Sequence, residues 1–129
     1  MTRPTTTPEQ PANGLGHTEL ASADPAATRR FLETTFGWTF ETLRGPGGDY
    51  HAFQSPGGAR GGIRPTQKSE SPGSMSYVTV EDVDAALEKV KRGGGEIVLP
   101  RTTIPGMGTF FWFKVPGGPI LAAWKSEPK

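Results

Sequence analysis

Thr109-Phe-Phe-Trp-Phe-Lys-Val-Pro-Gly-Gly-Pro-Ile-Leu-Ala-Ala-Trp124 is the stretch on which the reading of this chain turns. Two apolar runs flank a Pro-Gly-Gly turn, the pattern of a β-hairpin. Sixty residues earlier the arrangement recurs as Tyr50-His-Ala-Phe-Gln54, Ser55-Pro-Gly-Gly58 and Arg60-Gly-Gly-Ile-Arg64. The same offset aligns Phe53 with Phe113, Gly48 with Gly108, Asp24 with Asp84, and Pro56-Gly57-Gly58 with Pro116-Gly117-Gly118. An offset shared by the hairpin and, to within two residues, by the helix starts marks a duplicated module, not a short-period solenoid.

The same order of elements precedes each hairpin. In the first half, Gly14-Leu-Gly-His-Thr-Glu-Leu-Ala21 alternates weakly and predicts a strand. Asp24-Pro25 supplies an N-cap acid and a first-turn proline, and Gly37 a stop, so a helix is predicted over 25–36. Trp38-Thr-Phe-Glu-Thr-Leu-Arg44 is the next strand, and Gly45-Pro-Gly-Gly48 turns the chain. In the second half, Met75-Ser-Tyr-Val-Thr-Val80 predicts a strand. Asp82 then caps a helix over 83–92, with Val83, Ala86, Leu87 and Val90 at i, i+3, i+4 and i+7. Glu96-Ile-Val-Leu99 reads as a strand and Ile104-Pro-Gly-Met-Gly108 as a loop. The predicted class is α+β, built from two βαβββ modules. One domain covers residues 14–125: module one 14–65, a linker 66–74, and module two 75–125. Residues 1–13 hold prolines and threonines with no large apolar residue after Met1, and read as a flexible arm.

Composition narrows the function classes. A chain of 129 residues suits one domain. Fourteen basic against thirteen acidic residues leave +1, which excludes a strongly basic nucleic-acid surface. The absence of cysteine removes disulfides, thiolate metal sites and a cysteine nucleophile. No apolar run approaches the roughly 18 residues of a membrane span. The first thirteen residues lack the apolar centre of a secretory signal, so a soluble, cytoplasmic protein without membrane or nucleic-acid partners is expected. The pairs Gly57-Gly58, Gly61-Gly62 and Gly117-Gly118 are not phosphate loops, because no Gly-Lys-Ser/Thr and no helix start follows them. The serines and threonines lack a recognised base arrangement.

The ordered pieces His17-Thr-Glu-Leu, Phe36-Gly37-Trp38, Val80-Glu-Asp-Val-Asp84, Gly93-Gly-Gly-Glu96, Ile104-Pro-Gly-Met-Gly108 and Pro116-Gly-Gly118 span residues 14–125. Together they resemble the vicinal oxygen chelate superfamily of glyoxalase I, extradiol dioxygenases and bleomycin-resistance proteins. The resemblance implies an open, curved, eight-stranded cup with helices outside, and commonly a homodimer. It also implies four metal-ligand positions, which map to His17, Gly62, Tyr77 and Ala122. Glycine and alanine offer no donor, and one imidazole does not hold a divalent ion usefully. The expectation is therefore no metal and no cofactor.

Strand alternation from His17 brings Glu19 to the cup side, and Tyr77 joins them from the second half. Arg64 and Trp124 share that side with Gly62 and Ala122. If Phe53 pairs with Gly62 and Phe113 with Ala122, then His51, Phe53, Phe111 and Phe113 turn inward. Tyr50, Phe110 and Trp112 then pack beneath the helices. A slip of one residue reverses that assignment. The Phe110–Phe113 run is either core or a ligand surface, and Glu19 either orients a ligand or pairs with Arg64 as a buried charge. His17 is a backbone-bonded polar residue or an acid–base group on the cup floor.

The reading that results is a small-molecule binder, sequestering a flat, aromatic, largely apolar ligand such as an antibiotic without metal. His17, Glu19, Arg64 and Tyr77 would orient it, and Phe53, Phe111, Phe113 and Trp124 would supply apolar contact. The alternative is a glyoxalase-like lyase, isomerase or oxygenase acting on a small molecule.

Overall fold

A computed structural model describes residues 12–45 and 48–127. Residues 1–11 of the arm, and residues 46 and 47 of the first turn, lie outside the described residues. The element order is β1 Leu15–Ser22, α1 Pro25–Phe36, β2 Thr39–Gly45, β3 Gly48–Gln54 and β4 Arg60–Pro65. It repeats as β5 Gly73–Thr79, α2 Val83–Arg92, β6 Glu96–Ile104, β7 Gly108–Lys114 and β8 Ile120–Ser126. The strands form one open eight-stranded sheet in the order β2-β3-β4-β1-β5-β8-β7-β6. β1 runs parallel to β4, β5 runs parallel to β8, and the two modules join where β1 meets β5 antiparallel. This is the α+β class with two βαβββ modules. Among the described residues no helix is long and apolar enough to cross a membrane.

Both helices form where their caps place them. The Asp24 carboxylate accepts the Ala27 amide at 3.2 Å, and Asp82 accepts that of Ala85 at 3.0 Å. Gly37 ends α1 at φ +73°, a conformation that costs an ordinary side chain about 1–2 kcal/mol. The helices differ in what they cover. α2 lays its apolar stripe on β6, β7 and β8, closing a core of Val80, Val83, Phe111, Phe113 and Ala123. α1 buries no residue fully, and polar side chains make several of its contacts with the sheet. Ser22 Oγ meets Thr28 Oγ1 at 2.7 Å. Arg29 donates to Thr42 Oγ1 and to His51 Nδ1, and lies 5.1 Å over the Phe40 ring.

The hairpins overturn the expected register. Each has a five-residue loop closed by a backbone bond, Ser55 N–H to Ala59 O and Val115 N–H to Pro119 O. Phe53 therefore pairs with Gly61, and Phe113 with Leu121; Gly62 faces Ala52, and Ala122 faces Trp112. That is one residue away from the pairing expected from sequence, so every side chain of β3 and β7 faces the other way. Phe53, Phe111 and Phe113 lie on the helix side, and so does His51, bonded to Arg29. Tyr50, Phe110 and Trp112 take the cup side.

Two strands extend beyond their expected ends. β6 continues past its expected end at Leu99, through Pro100 to Ile104, the first residue of the expected loop, with register breaks between Ile97 and Leu99 and between Leu99 and Thr102. Pro100 survives there because β6 is an edge strand, with no neighbour requiring its missing N–H. β5 begins at Gly73, which pairs with Ala21 and shortens the linker.

Candidate functional site

The helix-free face is organised around a buried carboxylate. Glu19 is 7% exposed and accepts on both oxygens. Its Oε1 receives Arg64 Nε at 2.7 Å and the Tyr77 hydroxyl at 2.8 Å. Its Oε2 receives the Tyr50 hydroxyl at 3.1 Å and lies 3.5 Å from His17 Nε2. His17 Nε2 also lies 2.9 Å from the Tyr50 hydroxyl. Arg64 uses the rest of its fork on Glu70, at 2.7 and 2.9 Å, and stacks 5.0 Å over the Trp112 ring. β1, β3, β4 and β5 thus meet at one anion, and the linker joins them through Arg64.

The electrostatics follow from this packing. Burial alone would raise the Glu19 carboxyl, but the His17 side chain 3.5 Å away, the hydrogen bond from Tyr77 and the charge of Arg64 hold it below its ordinary value. Glu70 is lowered chiefly by its bond to Arg64. Burial, then the Glu19 charge, pushes both Tyr50 and Tyr77 far up, so both phenols remain protonated donors. The unfolded carboxyls titrate near 4.5, above their folded values, so in acid the unfolded chain binds more protons. The stabilisation is complete above that value and disappears as pH falls through the lowered folded ones. The melting temperature should therefore drop between pH 6 and pH 3, and Glu70→Gln should flatten that slope. An unchanged slope in the variant would show that Glu70 does not contribute.

Aromatic side chains form the next part of the face. Tyr77, Phe110 and Trp124 sit at ring separations of 6.4 and 6.5 Å, and the His17 ring lies 5.2 Å from Tyr77. Trp124 fits because Gly108 faces it: a Cβ there would meet the indole at 2.7 Å. An open depression of about 510 Å³ adjoins this wall, lined by Gly16, His17, Thr79, Val80, Glu81, Trp124, Lys125 and Ser126.

Of the residues singled out from sequence, the structure gathers His17, Glu19, Arg64, Tyr77 and Trp124 on one face. It removes Phe53, Phe111 and Phe113 to the other. Sequence reasoning missed Tyr50, Phe110 and Trp112. The signal for Tyr50 was Gly62 on the neighbouring strand, since a Cβ at Gly62 would fall on the Tyr50 ring.

A family model described as the Glyoxalase/Bleomycin resistance protein/Dioxygenase superfamily matches residues 14–120. The chain belongs to this superfamily. The candidate glyoxylase CFP32 of Mycobacterium tuberculosis is 29% identical over 115 residues, covering 84% of this chain and 44% of that protein. The anthracycline biosynthesis protein DnrV of Streptomyces peucetius is 28% identical over 123 residues, covering 83% of this chain and 45% of that protein. The chain thus spans somewhat less than half the length of these curated relatives. The methylmalonyl-CoA epimerase of Mycobacterium tuberculosis superposes with a TM-score of 0.71 at 17% identity, covering 96% of this chain and 95% of that one. A 2,2',3-trihydroxybiphenyl 1,2-dioxygenase of Sphingomonas wittichii gives 0.61 at 19% identity, covering 92% of this chain and 45% of that one. At these identities the superpositions establish the fold alone.

The superfamily's metal positions do not fit an ion here. His17, Tyr77 and Ala122 lie in one row across β1, β5 and β8, and Gly62 lies opposite Glu19. Gly62 and Ala122 carry no donor, and the space before Gly62 is filled by the Tyr50 ring. Tyr77 is held protonated, and Glu19 is already bonded on both oxygens. Among the described residues no group of three or more His, Cys, Asp or Glu converges.

Proposed function

We propose that this protein binds a flat, largely apolar aromatic molecule against Trp124, Phe110 and Tyr77 and sequesters it without metal. The observation that carries this reading is the three-ring wall beside the open depression, on the face where Glu19, Arg64 and Glu70 are paired with one another. Apolar rings gain by burial against such a wall and by offset or tilted stacking. Relatives named for anthracycline biosynthesis support the reading, since an anthracycline presents the kind of fused flat ring the wall would accept.

Calorimetric titration with a panel of flat aromatic compounds, an anthracycline among them, tests the proposal. Saturable binding is expected for several members. Trp124→Ala and Phe110→Ala should each weaken it several-fold or more, since one stacked pair contributes roughly 0.5–1.5 kcal/mol beyond buried area. Phe53→Ala, on the opposite face, should leave the affinity of the folded fraction unchanged. If no compound binds saturably, while a glutathione hemithioacetal or a catechol is turned over with added metal, the glyoxalase-like enzyme reading replaces this one.

A further inference from the structure

We infer that Glu19 and Tyr50 fix the tautomer of His17, so that its Nδ1 accepts a hydrogen bond from the hydroxyl of a phenolic ligand held against Trp124. The ligand half of this inference rests on the aromatic-binding reading above; the tautomer half does not.

Glu19 is an ionised carboxylate and can only accept. Tyr50 has a single hydroxyl proton, and its oxygen lies within hydrogen-bond distance of both Glu19 Oε2, at 3.1 Å, and His17 Nε2, at 2.9 Å. Were that proton given to His17, two oxygen lone pairs would face each other at 3.1 Å inside the protein. Tyr50 therefore donates to Glu19 and accepts from His17, and Nε2 must carry the hydrogen. The carboxylate oxygen 3.5 Å from Nε2 favours the same arrangement. In its neutral form the imidazole has one N–H, and the lone pair is then left on Nδ1. Nδ1 has no hydrogen-bond partner among the described residues, and the side chain, 30% exposed, lines the depression together with Trp124.

The groups around this imidazole reinforce the assignment. Glu19 comes from the same strand, Tyr50 from β3 and Tyr77 from β5, while Arg64 from β4 acts through Glu19. Each oxygen of Glu19 has a hydroxyl donor, and Oε1 has Arg64 as well, so the carboxylate is committed to holding Tyr50 and is a poor candidate to receive a ligand proton itself. Tyr50 is then a positioning residue, acting through His17. Its ring fills the space that the glycine at position 62 leaves open, and its hydroxyl is the part that sets the imidazole. A ligand hydroxyl that meets Nδ1 completes a chain from ligand to carboxylate with every donor matched to an acceptor. An ether at the same place brings no donor.

The test uses the full chain, with 2-naphthol and 2-methoxynaphthalene as probes and nitrogen-15 NMR of the histidine ring. The expected tautomer in the free protein is Nε2–H for His17, and Tyr50→Phe, which keeps the ring and loses the hydroxyl, should convert it to a mixture. The naphthol should bind roughly 2- to 12-fold more tightly than its ether, the worth of one neutral hydrogen bond. That preference should vanish in His17→Ala and shrink in Tyr50→Phe. An Nδ1–H tautomer in the free protein overturns the inference whatever binds. Equal affinity for the two probes, with both bound saturably, overturns the ligand half and leaves the aromatic-binding reading standing. Failure of both probes to bind counts against that reading, and the NMR result alone then decides the tautomer.

Discussion

Phe111→Ala should cost about 3–5 kcal/mol of folding free energy, the range for removing a buried aromatic ring. Phe111 has no exposed surface and stands at the centre of the cluster that α2 closes, 5.6 Å ring to ring from Phe113. Small domains hold roughly 5–15 kcal/mol in total, so the variant should unfold at much lower denaturant, with its melting point down by roughly 10–20 °C. Phe110→Ala removes an identical ring from the next position. Phe110 is half-buried on the cup side, so its loss should cost clearly less stability and more ligand affinity. The pair of variants reads the facing of β7 directly. A larger loss for Phe110→Ala than for Phe111→Ala would return the strand to the register that the sequence alone suggested.

That register is where the legibility of the sequence ended. The modules, both helix spans and all eight strands could be read, because each rests on a local signal. Asp24 and Asp82 cap, Gly37 and Gly93 stop, and the Pro-Gly-Gly triplets turn. The facing of β3 and β7 rests instead on where the five-residue loops close, and the residue types allow two nearly equal alternatives. Phe110 to Phe113 is aromatic on both faces, and Tyr50-His51-Ala52-Phe53 offers a ring for either side. The duplication was of partial help. It makes Phe53 equivalent to Phe113 and Tyr50 to Phe110, and the structure keeps both equivalences. It does not say which member of each pair meets a helix.

The apolar stripe of α2 held the missing information. Val83, Ala86, Leu87 and Val90 require large apolar partners, and Phe111 and Phe113 supply them beside Ala123. The opposite choice would set the Trp112 ring beneath an aliphatic helix and away from the Arg64 guanidinium. On the cup side that indole instead lies under the Arg64 guanidinium. The five gathered site residues were legible because they sit on strands whose facing was anchored by His17. Phe53, Phe111 and Phe113 were placed through the register of β3 and β7, which the observed pairing reverses.

Arg64→Leu should be as destabilising as the loss of a core ring, by about 3–5 kcal/mol, since it leaves a buried carboxylate without its cation. The Arg64 side chain is 11% exposed and that of Glu19 10%, so water cannot readily replace the lost partner. Tyr50 and Tyr77 would still donate to Glu19, but two neutral donors do not balance a buried charge. Arg64→Lys should recover only part of the loss. One ammonium cannot reach Glu19 through Nε while spreading Nη1 and Nη2 over Glu70, as the planar fork does. The decisive comparison is the double variant Glu19→Gln, Arg64→Leu, which removes charge and countercharge together. It should be more stable than Arg64→Leu alone by at least about 1 kcal/mol, because a neutral amide can stay buried among hydroxyls at lower cost. Denaturant titration of the four proteins closes the cycle. A double variant no more stable than Arg64→Leu would mean that the guanidinium matters for its stacking on Trp112 and its hold on the linker, and not for the charge beneath it.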